Sequence, residues 1–201
     1  MNYLAHLFLA RPNPPSRMGN LLGDFCKGVD LSCYPQPVLE GLENHRLVDR
    51  FTDSHPLVKR AKRRFSPERR RFAGIAMDVL FDHFLLRHWQ NYSDLEPQRF
   101  FQLTYSHLDQ ALPDMPPRMQ KVVASMLEHN WLLQYQTLDG VGYALDRIAG
   151  RIRFANRFWG SIEEIEAHYA EFEQCFEHFF PALIEHIDRH GPENHNQGGF
   201  V

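Results

Sequence analysis

Histidine and aspartate recur at one-turn spacing in two stretches of this chain. In His45-Arg46-Leu47-Val48-Asp49-Arg50-Phe51-Thr52-Asp53, a helix would place His45, Asp49 and Asp53 on one face. In Asp78-Val79-Leu80-Phe81-Asp82-His83, Asp78 and Asp82 share a face in the same way. His6 and Asp24 lie in other runs that are mostly apolar, Leu4 to Leu9 and Leu21 to Phe25. A carboxylate among apolar neighbours is costly to bury unless it is paired or metal-bound, and two carboxylates one turn apart repel. A divalent cation removes both penalties. The set His6, Asp24, His45, Asp49, Asp53, Asp78, Asp82 and His83 therefore points to a metal site rich in oxygen donors with some imidazole, suited to Mn²⁺, Mg²⁺ or Fe²⁺. The competing reading makes each residue a solvated helix-surface Asp or a hydrogen-bonded core His.

Charge is distributed unevenly. The net charge of 201 residues is −3, yet Lys59, Arg60, Lys62, Arg63, Arg64, Arg69, Arg70 and Arg71 crowd together with only Glu68 opposing them. Such a run is either a solvated face or a docking patch for an acidic partner. Nucleic acid is not expected, because no aromatic-interleaved or Gly-rich phosphate motif accompanies it. GxGxxG, P-loop, GxSxG and HExxH patterns are missing, which leaves nucleotide-fold and serine-triad chemistry without support. The three cysteines, Cys26, Cys33 and Cys175, form no CxxC pair, so neither a disulfide framework nor a thiolate zinc site is expected and a reducing cytoplasm is the simplest home. The first residues make a poor signal peptide, and no run is long enough for a membrane span.

The elements that must position these residues read as helical nearly throughout, with apolar residues at three- and four-residue spacing. The expected helices cover about 2–10, 16–26 with Ser16 as N-cap, 37–53 broken at His55-Pro56, a basic helix to about 65, 66–89 opened by Ser66-Pro67, 95–111, 117–136, 139–151 and 161–190, the last opened by a capping box at Ser161-Ile162-Glu163-Glu164. One all-α domain over 1–190 with a flexible tail over 191–201 follows.

Against that background, Asn2-Tyr3-Leu4-Ala5-His6-Leu7, Gly19-Asn20-Leu21-Leu22-Gly23-Asp24-Phe25, His45-Arg46 with Asp49 and Thr52-Asp53, Met77-Asp78-Val79 with Asp82-His83-Phe84-Leu85, and Arg87-His88-Trp89 occur in order. Leu112-Pro113-Asp114, Pro116-Pro117-Arg118 and Trp131-Leu132 follow. This series resembles the acyl carrier protein phosphodiesterases, a distant branch of the HD-domain phosphohydrolases, over nearly the whole chain. The resemblance implies an HD-domain-like helical bundle. It implies hydrolysis of the phosphodiester joining 4′-phosphopantetheine to a serine of acyl carrier protein, with Mn²⁺ as the favoured cation and a cytoplasmic role tied to fatty-acid synthesis.

Residues and resemblance together give a working assignment. His6, Asp24, His45, Asp78 and Asp82 hold the metal. Asp49 or His83 handles the proton of water or leaving group, and Arg46 steadies the phosphate. Lys59, Arg60, Arg63, Arg64 and Arg70 dock the acidic carrier protein. A phosphohydrolase of nucleotides or small phosphoesters, and a non-enzymatic helical binding protein, remain as alternatives.

Overall fold

The computed structural model describes residues 1–193. Among them are eleven α-helices and no strand: α1 Tyr3–Phe8, α2 Pro14–Leu22, α3 Gln36–Ser54, α4 Pro56–Lys62, α5 Ala73–Arg87, α6 Pro97–Ala111, α7 Pro117–Glu128, α8 Trp131–Gln134, α9 Leu138–Ala149, α10 Ile162–Ala167 and α11 Tyr169–His190. The all-α, single-domain expectation holds. Prolines open α2, α3, α4, α6 and α7 within the first two helical positions, where the missing N–H has no intrahelical partner to lose. Pro56 both stops α3 and starts α4, as its position after His55 predicts.

α5 is mostly apolar and buried on most sides, with Leu80, Phe81, Phe84 and Leu85 fully buried at the centre. α11 supplies the opposing face. Phe81 meets Phe176 at 5.5 Å and Phe179 at 5.4 Å between ring centroids, and Phe176 stacks on Phe180 at 4.8 Å. Each such ring contributes about 1.5–3 kcal/mol by leaving water. Of the three tryptophans, Trp89 is buried against Phe8 and Phe100, Trp131 is half-buried beside Tyr3, and Trp159 is exposed.

α2 and α3 cross at a glycine pair. A Cβ on Gly19 would fall 2.2 Å from the Val38 carbonyl oxygen, and one on Gly41 2.6 Å from the Ser16 carbonyl oxygen. Only glycine lets the two backbones approach so closely. That contact fixes the height of α3, and with it His45 and Asp49, against the Gly23-Asp24-Phe25 turn that ends α2.

Several helix boundaries differ from expectation for local reasons. Asn13, not Ser16, caps α2, its Oδ1 accepting from Ser16 N at 3.0 Å. Ser66 does not cap a helix, because its N–H and hydroxyl both donate to Glu164, at 2.9 and 2.7 Å, and α5 starts only at Ala73. The capping box at Ser161 does not form; its hydroxyl donates to the Phe158 carbonyl, and α10 ends at Ala167 before α11 begins. Asn130, with φ at +48°, separates α7 from α8. The tail is corrected at its start: Glu193 is 1% exposed and accepts from Asn20 Nδ2 at 3.1 Å. The remainder of the expected tail, 194–201, lies outside the described residues.

Candidate metal centre

The donors that converge come from α1 and α3. His6, His45 and Asp49 each offer one atom, and these atoms lie within 4.8 Å of one another. The imidazoles of His6 and His45 are stacked, with centroids 3.9 Å apart and planes 18° apart. His45 Nε2 is 3.1 Å from Asp49 Oδ2, the i, i+4 contact that the sequence spacing predicts. Asp49 Oδ1 is 3.3 Å from His6 Nε2. That last approach is off the line of a hydrogen bond, so both ring nitrogens of the fully buried His6 lack a hydrogen-bond partner among the described residues.

The backbone orients the other histidine. His45 Nδ1 lies 2.7 Å from the Asn20 carbonyl oxygen, which can only accept, so this nitrogen carries the proton and Nε2 faces Asp49. Asn20 is itself held: Asn44 Nδ2 donates to its Oδ1 at 2.9 Å, and its own Nδ2 donates to Ser16 O and Glu193 Oε2 at 3.1 Å each. Gly23 leaves the space for the imidazole, since a Cβ there would sit 2.1 Å from His45 Cδ2 and 2.2 Å from Nε2.

Protonation follows from this packing. Burial lowers His6 to about 3, with His45 pushing the same way against Asp49, so His6 is a neutral donor at ordinary pH. His45 is raised: burial opposes its charge, but Asp49, Asp24 and the Asn20 carbonyl outweigh it. Asp49 is held well below the usual carboxylate range; burial works against this, and His45, His6 and the Met1 ammonium overcome it. That ammonium is buried, 3.2 Å from Asp49 Oδ1 and 3.1 Å from Asp78 Oδ1. A positive group thus already sits between two carboxylates at the edge of the cluster. A buried imidazole with unused nitrogens, a second imidazole with its Nδ1–H anchored, and a carboxylate drawn to positive charge fit a divalent cation.

The sequence-derived set separates into groups. His6 and His45 are brought together as expected. Asp49, expected to act on a proton, belongs to the donor cluster instead. Asp78 flanks it through the ammonium. Asp24 is exposed on the turn after α2, raised above the usual range by the protein packed around its carboxyl, with Asp49 and Asp78 adding and His45 and the Met1 ammonium opposing.

Asp82 does not fit the ligand role assigned to it. It is fully buried, accepting from Asn2 Nδ2 and Leu4 N through Oδ2 and from Ala5 N through Oδ1, each at 2.9 Å. Those donors occupy both oxygens and make it a long-range cap for the N-terminus of α1. His83 does not fit a proton-transfer role either, because Tyr135 O at 2.8 Å and Tyr169 Oη at 2.9 Å take both ring nitrogens. Its i+1 position after Asp82 turns it to a different side of α5. Arg46 pairs with Glu43 at the surface of α3.

The basic run is partly structural. Lys62 binds Asp53 at 2.8 Å and Arg64 pairs with Glu171. Arg69 reaches Glu164 at 3.0 Å and the Trp159 carbonyl at 2.7 Å. Arg70 folds onto the Phe65 carbonyl, with Nη2 at 3.3 Å, and Arg71 covers the Phe154 ring at 4.5 Å. Lys59, Arg60 and Arg63 make no side-chain ion pair among the described residues. Arg60 and Arg64 line a groove between α4 and α11 with a void of about 350 Å³. No pattern in the sequence signals the Met1 ammonium, or the Asn20–Asn44–Glu193 network beneath His45.

Residues 1–183 match the family model described as acyl carrier protein phosphodiesterase. A protein of Enterobacter sp. (strain 638) named acyl carrier protein phosphodiesterase is 38% identical over 185 residues, 92% of this chain and 96% of its own length. Proteins of the same name from Salmonella agona and Salmonella dublin are each 37% identical over 190 residues, 94% of this chain and 98% of theirs. No solved structure matches the chain significantly.

Proposed function

The chain belongs to the acyl carrier protein phosphodiesterase family, and from that membership we propose that it hydrolyses the phosphodiester between 4′-phosphopantetheine and the serine of holo-acyl carrier protein, using a divalent cation held by His6, His45 and Asp49. The observation that carries the metal reading is the convergence of these three donors around a buried imidazole with no hydrogen-bond partner among the described residues. We read the bundle as HD-domain-like, since histidine and aspartate from separate helices meet at one point. Two nitrogens and one carboxylate suit Mn²⁺ or Fe²⁺ better than Mg²⁺, which prefers oxygen ligands throughout; Mn²⁺ is our choice.

The reaction needs negative charge neutralised on the phosphate and a nucleophile at neutral pH, and a bound divalent ion would supply both. This chain's residues provide the rest. The Asn20 carbonyl keeps His45 in one tautomer. Asp49, one turn away, draws positive charge into the cluster. Water oxygen bonds to phosphorus and gives up its proton to solvent as the bond to serine Oγ breaks, and the serine oxygen takes up a proton. We assign that proton to Asp24, exposed on the turn after α2 and raised above the usual carboxylate range. Arg46 can leave its exposed partner Glu43 at little cost to contact the phosphate.

Acyl carrier proteins are acidic, so Lys59, Arg60 and Arg63, with Arg64 on the groove wall, form the docking side. Arg70 supports the fold there rather than the partner. No helix among the described residues is long and apolar enough to cross a membrane. We place the protein in the cytoplasm, where its three cysteines would stay reduced.

Incubating metal-loaded protein with holo-acyl carrier protein and, separately, a nucleotide panel tests the assignment. Release of 4′-phosphopantetheine with little nucleotide turnover is the expected result. Nucleotide turnover without carrier cleavage would move the protein to the small-phosphoester alternative. Mn²⁺ titrated calorimetrically into chelator-stripped protein tests the metal, and unaltered binding in His6→Ala and His45→Ala would sink the cluster.

A further inference from the structure

A second cavity opens beside the cluster. It runs between the residues leading into α1 and the α8–α9 pair, lined by Asn2, Tyr3, Trp131, Tyr135, Tyr143 and Ile148, with Arg147 and Arg151 at its rim. Tyr3 and Trp131 face each other at 6.5 Å between centroids. Its void is about 110 Å³. Taking about 30 Å³ per water, that is room for a small branched group rather than a long chain.

The Asn2–Tyr3 wall of the cavity adjoins the catalytic side through the chain. Asn2 is the residue after the buried ammonium that contacts Asp49 and Asp78, and its side chain donates to Asp82 at 2.9 Å. Tyr3 lies within the field of Asp24 on one side and of Arg151 and Arg118 on the other. A substrate phosphorus near Asp24 therefore has this groove as its adjoining apolar space.

We propose that this groove binds the pantetheine arm of the substrate, taking its branched, methyl-bearing end next to the phosphate against Tyr3, Trp131 and Ile148. The inference rests on the phosphodiesterase reading above and specifies which surface recognises the non-protein half of the scissile bond. The arm begins with a methylene, then a quaternary carbon bearing two methyls and a carbon bearing a hydroxyl, followed by two secondary amides and a thiol. Aromatic and aliphatic walls match the methyls. The side-chain amides of Asn2 and Gln134, which also lines the groove, match the peptide-like amides. Arg151 suits the anionic end. Tyr143, 56% exposed, lies where the remainder of the arm would leave the groove. The serine leaving group then departs on the opposite side with the carrier protein, while the phosphorylated arm stays in the groove.

Pantetheine, the arm without phosphate or protein, is the probe. Calorimetry should show it binding the metal-loaded protein, and it should compete with holo-carrier in the assay. Ala144→Trp, which fills the groove, should weaken pantetheine at least tenfold while inorganic phosphate inhibition moves less than twofold. Tyr143→Ala, at an exposed site whose hydroxyl and ring engage Arg147, should weaken pantetheine about threefold to tenfold. Unaltered pantetheine affinity in both variants, or no pantetheine binding to a wild-type protein that cleaves holo-carrier, would overturn the proposal. A wild-type protein that fails to cleave holo-carrier yet binds pantetheine in this groove would refute the phosphodiesterase reading and leave the groove assignment standing.

Discussion

Replacing Asp82 with Asn separates a helix cap from a metal ligand. The carboxylate receives Leu4 N and Asn2 Nδ2 on one oxygen and Ala5 N on the other, all at 2.9 Å. An amide keeps only one acceptor. If its nitrogen replaces Oδ1, the Ala5 N–H loses its partner; if it replaces Oδ2, Leu4 N–H and Asn2 lose theirs. The milder arrangement leaves one buried backbone donor unsatisfied, about 1–3 kcal/mol. That gives about 1–3 kcal/mol of destabilisation at pH 5, where the wild-type carboxyl is neutral and no charge is lost. For a chain of this size, at about 2–4 °C per kcal/mol, Tm at pH 5 should fall by roughly 2–12 °C. The pH matters. Burial pushes Asp82 up to about 7 against the pull of its three donors and the Met1 ammonium. Its folded pKa exceeds its unfolded one, so the wild-type carboxyl costs stability as pH rises from about 4 through 7, and Asn removes that slope. Thermal unfolding at pH 5 and pH 8, with metal content measured on the same samples, is the assay. Metal should still bind D82N below its Tm, more weakly because α1 carries His6. Unchanged Tm at both pH values together with complete loss of metal would refute the capping argument and return Asp82 to the ligand set.

Gly23→Ala should lower Mn²⁺ affinity at least tenfold with a smaller effect on Tm, since its Cβ would displace the His45 ring; equal affinity in a metal titration would show the ring can yield. Chelator-treated protein should lose stability as pH falls from about 6.5 toward 3, because the unfolded chain binds a proton that buried His6 refuses. His6→Gln should flatten that part of a urea-midpoint profile, and an unchanged profile would mean His6 is charged when folded. Asp24→Asn should cut kcat on holo-carrier at least a hundredfold while Mn²⁺ stoichiometry holds; loss of the metal instead would make Asp24 a ligand. Charge reversal at Arg60 and Arg63 should raise KM for carrier protein and reduce its salt dependence, measured by initial rates from 50 to 300 mM salt; KM unchanged across that range would rule out this docking side.

Patterning made the helices legible, and the i, i+4 rule made the His45–Asp49 contact legible, because both depend on neighbours in sequence. Asp82 shows where that logic stops. Its one-turn spacing from Asp78 says which face of α5 it occupies, but its partners Leu4 and Ala5 lie 78 and 77 residues away. A carboxylate in an apolar helix announces that something positive or donating must meet it; whether that is a metal or a helix N-terminus is decided by tertiary packing. Ser66 fails as a cap for the same reason, its hydroxyl having found Glu164, 98 residues away, whereas Ser161 is taken locally by the Phe158 carbonyl. Arg64, Arg69, Arg70 and Arg71 look like free surface charge in sequence, yet acceptors or aromatic faces from Phe65 and from residues beyond 150 engage them.

The placement of the tryptophans has an optical consequence. Trp89 is shielded by Phe8 and Phe100, and Trp159 is already in water, so neither emission spectrum has reason to move when a small molecule enters the groove. Trp131 lines that groove beside Tyr3. Displacing water from its indole shifts one of three fluorophores toward the blue, which makes the unlabelled protein its own reporter of occupancy. Trp89→Phe and Trp159→Phe together would leave that signal alone on a dark background.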